Sequence, residues 1–137
     1  MIAAMNSSRK FCLKWDDFGN NTSVTFRDLW LDTDLSDVTL VGEGNTQVST
    51  HKIILAASSP VFSEMLKQNK HPHPLIYMRG IKAEYLVSIV DFIYHGETQM
   101  FQNDLDAFLN ITEELQLKGL RGGANVGNKH EYIESVC

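Results

Sequence analysis

The chain has 137 residues, 43% hydrophobic and 21% charged, with a formal net charge of -5. That is the size and composition of one ordinary globular domain with a core of its own. The negative balance argues against gripping a phosphate backbone by charge, which needs clustered Lys and Arg.

Residues 1–10, MIAAMNSSRK, are mostly small or polar and read as a flexible N-terminus. Residues 11–15, FCLKW, change character: Phe11, Leu13 and Trp15 fall on one side of a short strand, Cys12 and Lys14 on the other. No second strand follows, because residues 16–21, DDFGNN, form a loop leading into a helix. Asn21 or Thr22 is expected to cap that helix, and Phe26, Leu29 and Trp30 share one of its faces at i, i+3, i+4 spacing. The strand at 11–15 must therefore find its hydrogen bonds far along the chain or on another chain.

Residues 37–66 form the organising stretch. Val38 and Leu40 alternate with Thr39 and Val41 as a strand, and Gly42-Glu43-Gly44-Asn45 supplies residues that tolerate a reversal. Residues 46–50 return in extended form, and Ile53-Ile54-Leu55 is apolar enough to enter a core. Ser58-Ser59-Pro60 is a helix start, a serine cap followed by a proline whose missing N–H costs nothing. Val61, Phe62, Met65 and Leu66 make that helix's apolar stripe.

Residues 67–74 are a polar connection, and Leu75-Ile76-Tyr77-Met78 is a run of strand length. Residues 83–95 give the clearest amphipathic helix, with Leu86, Ile89, Val90 and Ile93 at i, i+3, i+4, i+7 and Gly96 in the C′ position. Residues 98–101 suggest a short extended piece. A last helix is expected from a cap at Asn103 or Asp104, with Leu105, Phe108, Leu109 and Leu115 facing inward. Residues 121–137, with three glycines and few apolar groups, read as a flexible tail. Strands and helices mix without the alternation of parallel βαβ units, so the expected class is α+β, several helices around a small, mostly antiparallel sheet.

Candidate chemistry is thin. Asp37, His51 and Ser58 supply the residue types of a hydrolase triad, but no G-x-S-x-G elbow surrounds any serine. His71 and His73 lack a third ligand at a recognisable spacing. Gly42-Glu43-Gly44 is followed by an extended pattern, a turn and not a dinucleotide fingerprint. Cys12 and Cys137 stand far apart without framework spacing, as in a reducing compartment, and no apolar run has signal-peptide or membrane-spanning length. An intracellular protein is expected, one that is not an enzyme and has no catalytic residues, metal or cofactor. Asp37 and Lys52 admit two readings, an intrachain pairing or a charged pocket at a subunit contact. The large apolar groups at 11–15 and at Phe26 and Trp30 tilt the expectation towards association, for which a two-fold dimer would suffice.

Six stretches in register also resemble a known family: FCLKW at 11–15, DVTL at 37–40, HKIILAASSPVF at 51–62, HPLIYM at 73–78, FIYHGE at 92–97 and LQLKGL at 115–120. Together they resemble a BTB/POZ domain, and the opening FCLKW resembles the arthropod tramtrack-type group. The resemblance spans residues 11–120. It implies a helical cluster capped by a small sheet, an intertwined homodimer with an exchanged N-terminal strand, and pairing with related BTB proteins or higher oligomers. Phe11, Leu13 and Trp15 would lie on the exchanged strand, Phe26, Leu29 and Trp30 at the helix interface, and Asp37 and Lys52 in a charged pocket beside it.

The group's members are usually nuclear transcription or chromatin factors, so the resemblance implies a nuclear module that engages transcriptional co-regulators without itself touching nucleic acid or membrane. Asp16-Asp17 stands where Asn-Asn is more usual, Ser58 where cysteine is, and Pro72 where lysine is. The competing expectation is a cullin-3 ubiquitin ligase substrate adaptor. Residues 67–74 lack the glutamate such adaptors carry there, and residues 121–137 are too short and glycine-rich for their additional helices.

Overall fold

Val38 and Leu40 are completely buried and Val41 nearly so, which makes strand β1 (Val38–Val41) the centre of the fold. Burial of each such side chain is worth roughly 1.5–3 kcal/mol. In the computed structural model, which describes residues 8–120, β2 (Gln47–Thr50) runs antiparallel to β1, with Leu40 opposite Val48. The expected flexible tail at 121–137 and most of the flexible N-terminus at 1–10 lie outside the described residues. The turn between the strands passes through Gly44 and Asn45, with φ of 72° and 59°. Gly42 is needed for close approach, since a Cβ there would stand 3.0 Å from the Ile81 carbonyl oxygen.

A third strand, β3 (Leu75–Tyr77), lies on the other side of β1, giving the order β2–β1–β3. It runs parallel to β1, so the antiparallel character expected of the sheet holds for one of its two ladders. The reason lies in the connection. Helix α1 (Phe18–Leu31) precedes the sheet, and the short helices α2 (Lys52–Ser58) and α3 (Pro60–Gln68) carry the chain across it between β2 and β3, so the third strand re-enters in the direction of the first.

The run Ile53-Ile54-Leu55 forms α2, a helix that precedes the expected one. Ile54 and Leu55 enter the core, but Ile53 is 75% exposed. The chain breaks at Ser59 (φ −146°), whose Oγ accepts from the Phe62 N–H at 3.1 Å and so caps α3, with Pro60 in its first turn. The same hydroxyl donates to the Leu115 carbonyl, tying α3 to the far end of the chain.

Helix α4 (Ala83–His95) buries Tyr85, Leu86, Ile89, Val90 and Tyr94, and Gly96 ends it at φ 82°. Helix α5 (Gln102–Glu114) begins ahead of the expected caps at Asn103 or Asp104, with Phe101 in the cap position, and buries Phe108. Residues 98–101 form no strand. Helix α1 also starts earlier than expected. Asp17 adopts the left-handed conformation (φ 56°, ψ 40°), its carboxylate accepts from Asn20 Nδ2 at 2.9 Å, and its carbonyl takes the Asn21 N–H at 3.0 Å. Thr22 thus falls inside the helix, where its Oγ1 is buried without a partner.

Candidate association surface

Residues 11–15 make no ladder with any strand of the described chain, so the expected strand does not form within one molecule. A lone strand has no donors or acceptors to pair with, and nothing else holds it in register. Phe11, Leu13 and Trp15 are between 60% and 92% exposed. Among the aromatic rings of the described residues Trp15 meets its near neighbour Phe18, edge-on, with centroids 5.2 Å apart. Arg9, Lys10 and Lys14 make the arm basic, and Asp16 and Asp17 close it with two negative charges.

Helix α1 continues the surface. Fourteen residues long, it has no buried residue. The expected face of Phe26, Leu29 and Trp30 divides. Leu29 and Trp30 pack partly buried against the chain's own core, while Phe26 stays exposed. Trp30 stacks on Tyr94 with centroids 6.1 Å apart and meets His95 edge-on at 5.0 Å. His95 in turn pairs with Asp91 one helical turn earlier.

Leu31, Leu35 and Ile53 are among further exposed apolar groups that sequence reasoning missed. Ile53 reads as core because its neighbours are apolar, and Leu35 sits in a one-turn 3-10 helix (Thr33–Leu35) that has no amphipathic signal of its own. The two stretches are drawn near each other by His51, whose Nε2 lies 3.3 Å from the Asp32 carbonyl oxygen.

His51 is buried and fully engaged. Its backbone N–H donates to the Tyr94 hydroxyl at 2.9 Å, and its Nδ1 lies 2.7 Å from the same oxygen. One arrangement satisfies every atom: Tyr94 donates to an unprotonated Nδ1, and Nε2–H donates to Asp32. Burial pushes the Tyr94 hydroxyl pKa up to about 12.

Asp37 and Lys52 are brought together, but not as an ion pair. The Asp37 carboxylate accepts from the backbone N–H of Lys52 at 2.7 Å, serving as the cap that His51 does not provide for α2. The Lys52 ammonium points elsewhere, donating to the His71 carbonyl at 2.8 Å. Ser58 donates into its own helix, to the Ile54 carbonyl at 2.8 Å. Asp37, His51 and Ser58 therefore share no proton path. His71 and His73 are linked through a backbone N–H, and His73 Nε2 meets Thr39 Oγ1 at 2.8 Å. Among the described residues no group of three or more His, Cys, Asp or Glu is placed to hold a metal, and no helix is long and apolar enough to cross a membrane.

Comparison with known proteins agrees with this geometry. A family model described as "BTB/POZ domain" matches residues 26–123. The chain is 40% identical to the Drosophila melanogaster "Longitudinals lacking protein-like", over 85% of this chain and 91% of that protein. It is 37% identical to the Drosophila melanogaster "Sex determination protein fruitless", over 90% of this chain but only 13% of that protein's length. Among solved structures, the BTB domain of zebrafish PATZ1 superposes with a TM-score of 0.72 at 17% identity, over 92% of this chain and 99% of that one.

Proposed function

The chain belongs to the BTB/POZ domain family, and from that premise we propose that it works by association: it forms homodimers or larger assemblies and pairs with related BTB proteins in the nucleus, in the service of transcription or chromatin regulation. The observation that carries the reading is the arm at 11–15, where three large apolar side chains stand in solvent with no strand of their own chain to pair with. Leaving such groups in water forgoes roughly 1.5–3 kcal/mol each, and a second copy that pairs with the arm recovers it.

Phe11, Leu13 and Trp15 are assigned to the exchanged strand, and Phe26, Leu29 and Trp30 to the helix contact. Of the three on α1, Phe26 offers its side chain outright, while Leu29 and Trp30 hold the shape of the helix against the core. Asp37 and Lys52 are assigned to the charged pocket, with the ammonium as the group that has charge to offer. The nuclear, transcription-linked part of the reading, with co-regulators as partners, rests on the resemblance to tramtrack-type domains.

Light scattering tests the reading. The wild-type chain is expected at twice its 15.5 kDa or more, and a Phe11→Ser/Leu13→Ser/Trp15→Ser variant with unchanged circular dichroism is expected to lose mass. A folded wild-type monomer at micromolar concentration overturns the dimer.

A further inference from the structure

The outer edge of the sheet matches a segment of this chain beyond residue 120. In its parallel ladder with β1, strand β3 accepts the Thr39 N–H on the Pro74 carbonyl at 3.1 Å and gives the Met78 N–H to the Val41 carbonyl at 2.7 Å. Alternate residues of a strand face opposite sides, so Pro74, Ile76 and Met78 turn their backbone groups to β1 and their neighbours turn theirs outward. The His73 N–H is given to His71 Nδ1 at 3.0 Å. Among the described residues nothing bonds to the N–H groups of Leu75, Tyr77 and Arg79 or to the carbonyls of His73, Leu75 and Tyr77.

The surface beside this edge is apolar and basic. Leu75 and Tyr77 are exposed, and a groove of about 340 Å³, lined by Met65, Leu66, Pro74, Leu75 and Ile76 among others, lies next to the strand. Residues 67–79 hold Lys67, Lys70 and Arg79, with His71 and His73, and no Asp or Glu, in a chain whose net charge is -5. The two lysines and the arginine are exposed, and among the described residues none of them is ion-paired. Such an edge suits an extended segment that is both apolar and acidic.

Glu131-Tyr132-Ile133-Glu134-Ser135-Val136 is a segment of that kind. Tyr132, Ile133 and Val136 favour a strand, and both charges are negative. We propose that residues 131–136 lie along β3 as a fourth strand of the chain's own sheet. A strand of six residues turns three N–H groups and three carbonyls to one side, the number that the edge leaves open. The segment brings apolar side chains to the groove and two carboxylates to the three cations.

Tethering selects this occupant over a free strand. The Lys118 N–H donates to the Ser58 carbonyl at 2.9 Å, which fixes the chain's departure beside the start of α3. Met65, Leu66 and Gln68, at the other end of the same helix, line the groove. The nine residues of α3 rise about 13 Å. Residues 121–130 carry three glycines, and ten residues of glycine-rich composition have a root-mean-square span of roughly 16–19 Å. A linker matched to its span holds its segment at an effective concentration in roughly the millimolar range, far above that of separate chains at micromolar concentration. Covering the edge also protects it from unselective pairing with other strands. The contact uses neither the arm at 11–15 nor α1, so it goes beyond the association reading and does not depend on it.

Hydrogen exchange on the full chain, read by mass spectrometry, tests the contact. Tyr132→Pro/Ile133→Pro removes a donor from each side of the segment and leaves residues 8–120 unchanged. The peptide spanning residues 73–79 is expected to exchange several-fold more slowly in the wild type than in this variant, while peptides from α4 exchange alike in both. Equally fast exchange of residues 73–79 in the two chains means that the segment does not cover the edge, and overturns the proposal. Equally slow exchange means that another strand, such as one from a second copy, covers it, and overturns the proposal as well. Glu131→Lys/Glu134→Lys is expected to lose part of the protection, and protection that survives this reversal in full overturns the match with the three cations. Mass by light scattering reports on association separately, so a failure there is told apart from a failure here.

Discussion

At the junction of β2, α2 and α4, His51 has its backbone N–H and both ring nitrogens engaged, and Ser59 close by caps one helix while anchoring the end of another. Forty residues earlier, at 11–15, three of the largest apolar side chains stand in water with no hydrogen-bonded strand around them. The two regions have opposite economies. The junction satisfies polar groups that burial would otherwise make costly, so its residues hold the domain together. The arm leaves apolar area unburied, so its residues gain free energy only when something covers them. Substitutions should separate accordingly, junction and core changes acting on stability and arm changes on mass.

The largest effect is expected in the core behind the junction. Phe62 is completely buried at the start of α3, beside the cap formed by Ser59. Phe62→Ala is expected to cost about 3–5 kcal/mol, a large share of a typical domain's stability, read as a drop in the urea midpoint. A loss below about 1 kcal/mol would mean that the core closes around the cavity, and would weaken the division drawn between the two regions.

Tyr94 gives the next effect and adds a pH signature. Its hydroxyl pKa is raised by burial from 10.0 to about 12. Because the folded value lies above the unfolded one, the folded state holds the proton longer. The associated stability is fully present below about pH 10 and is lost as pH climbs through 12. Tyr94→Phe is expected to lower stability at pH 7 by about 1–3 kcal/mol, since it strands the His51 N–H and Nδ1. It should also flatten the difference between wild type and variant above pH 10. Denaturation midpoints at pH 7, 9 and 11 check both parts, and a difference that does not shrink with rising pH contradicts the buried hydroxyl.

What could be read in the sequence followed the range of the forces involved. The Ser59–Pro60 helix start and the Gly96 stop are local and were legible, as was the stripe of Leu86, Ile89 and Val90. The helix at Lys52–Ser58 was not, because a seven-residue element with two isoleucines at its start carries a strand-like signal and draws its cap from Asp37, fifteen residues away. The start of α1 was misplaced because Asp17 takes a left-handed conformation, which Asp and Asn tolerate without announcing it. The His51–Tyr94 bond joins residues 43 apart, and the parallel pairing of β3 depends on a crossover, so neither leaves a periodic trace. In the candidate surface, the arm was legible as apolar alternation. Leu31, Leu35 and Ile53 were not, since exposure of a single apolar residue is a property of the fold and not of its neighbours in sequence.

Asp37 and Lys52 bring the comparison down to one pair of residues, one side chain of each kind. The Asp37 carboxylate is spent on the first N–H of α2, a charged hydrogen bond at a helix start. Asp37→Ala is therefore expected to cost about 1–2 kcal/mol, in the range of a lost helix cap. The Lys52 ammonium makes a single exposed bond to a loop carbonyl, and Lys52→Met keeps the stem while removing the charge. Its cost is expected within about 0.5 kcal/mol. Urea midpoints of the two variants, measured side by side, check the asymmetry. If the midpoint of Lys52→Met is unchanged while its pairing with a related BTB domain weakens, measured by co-purification of two tagged chains, the charge belongs to recognition. If Lys52→Met destabilises as much as Asp37→Ala, the ammonium is part of the fold and the pocket has no charge left to offer a partner.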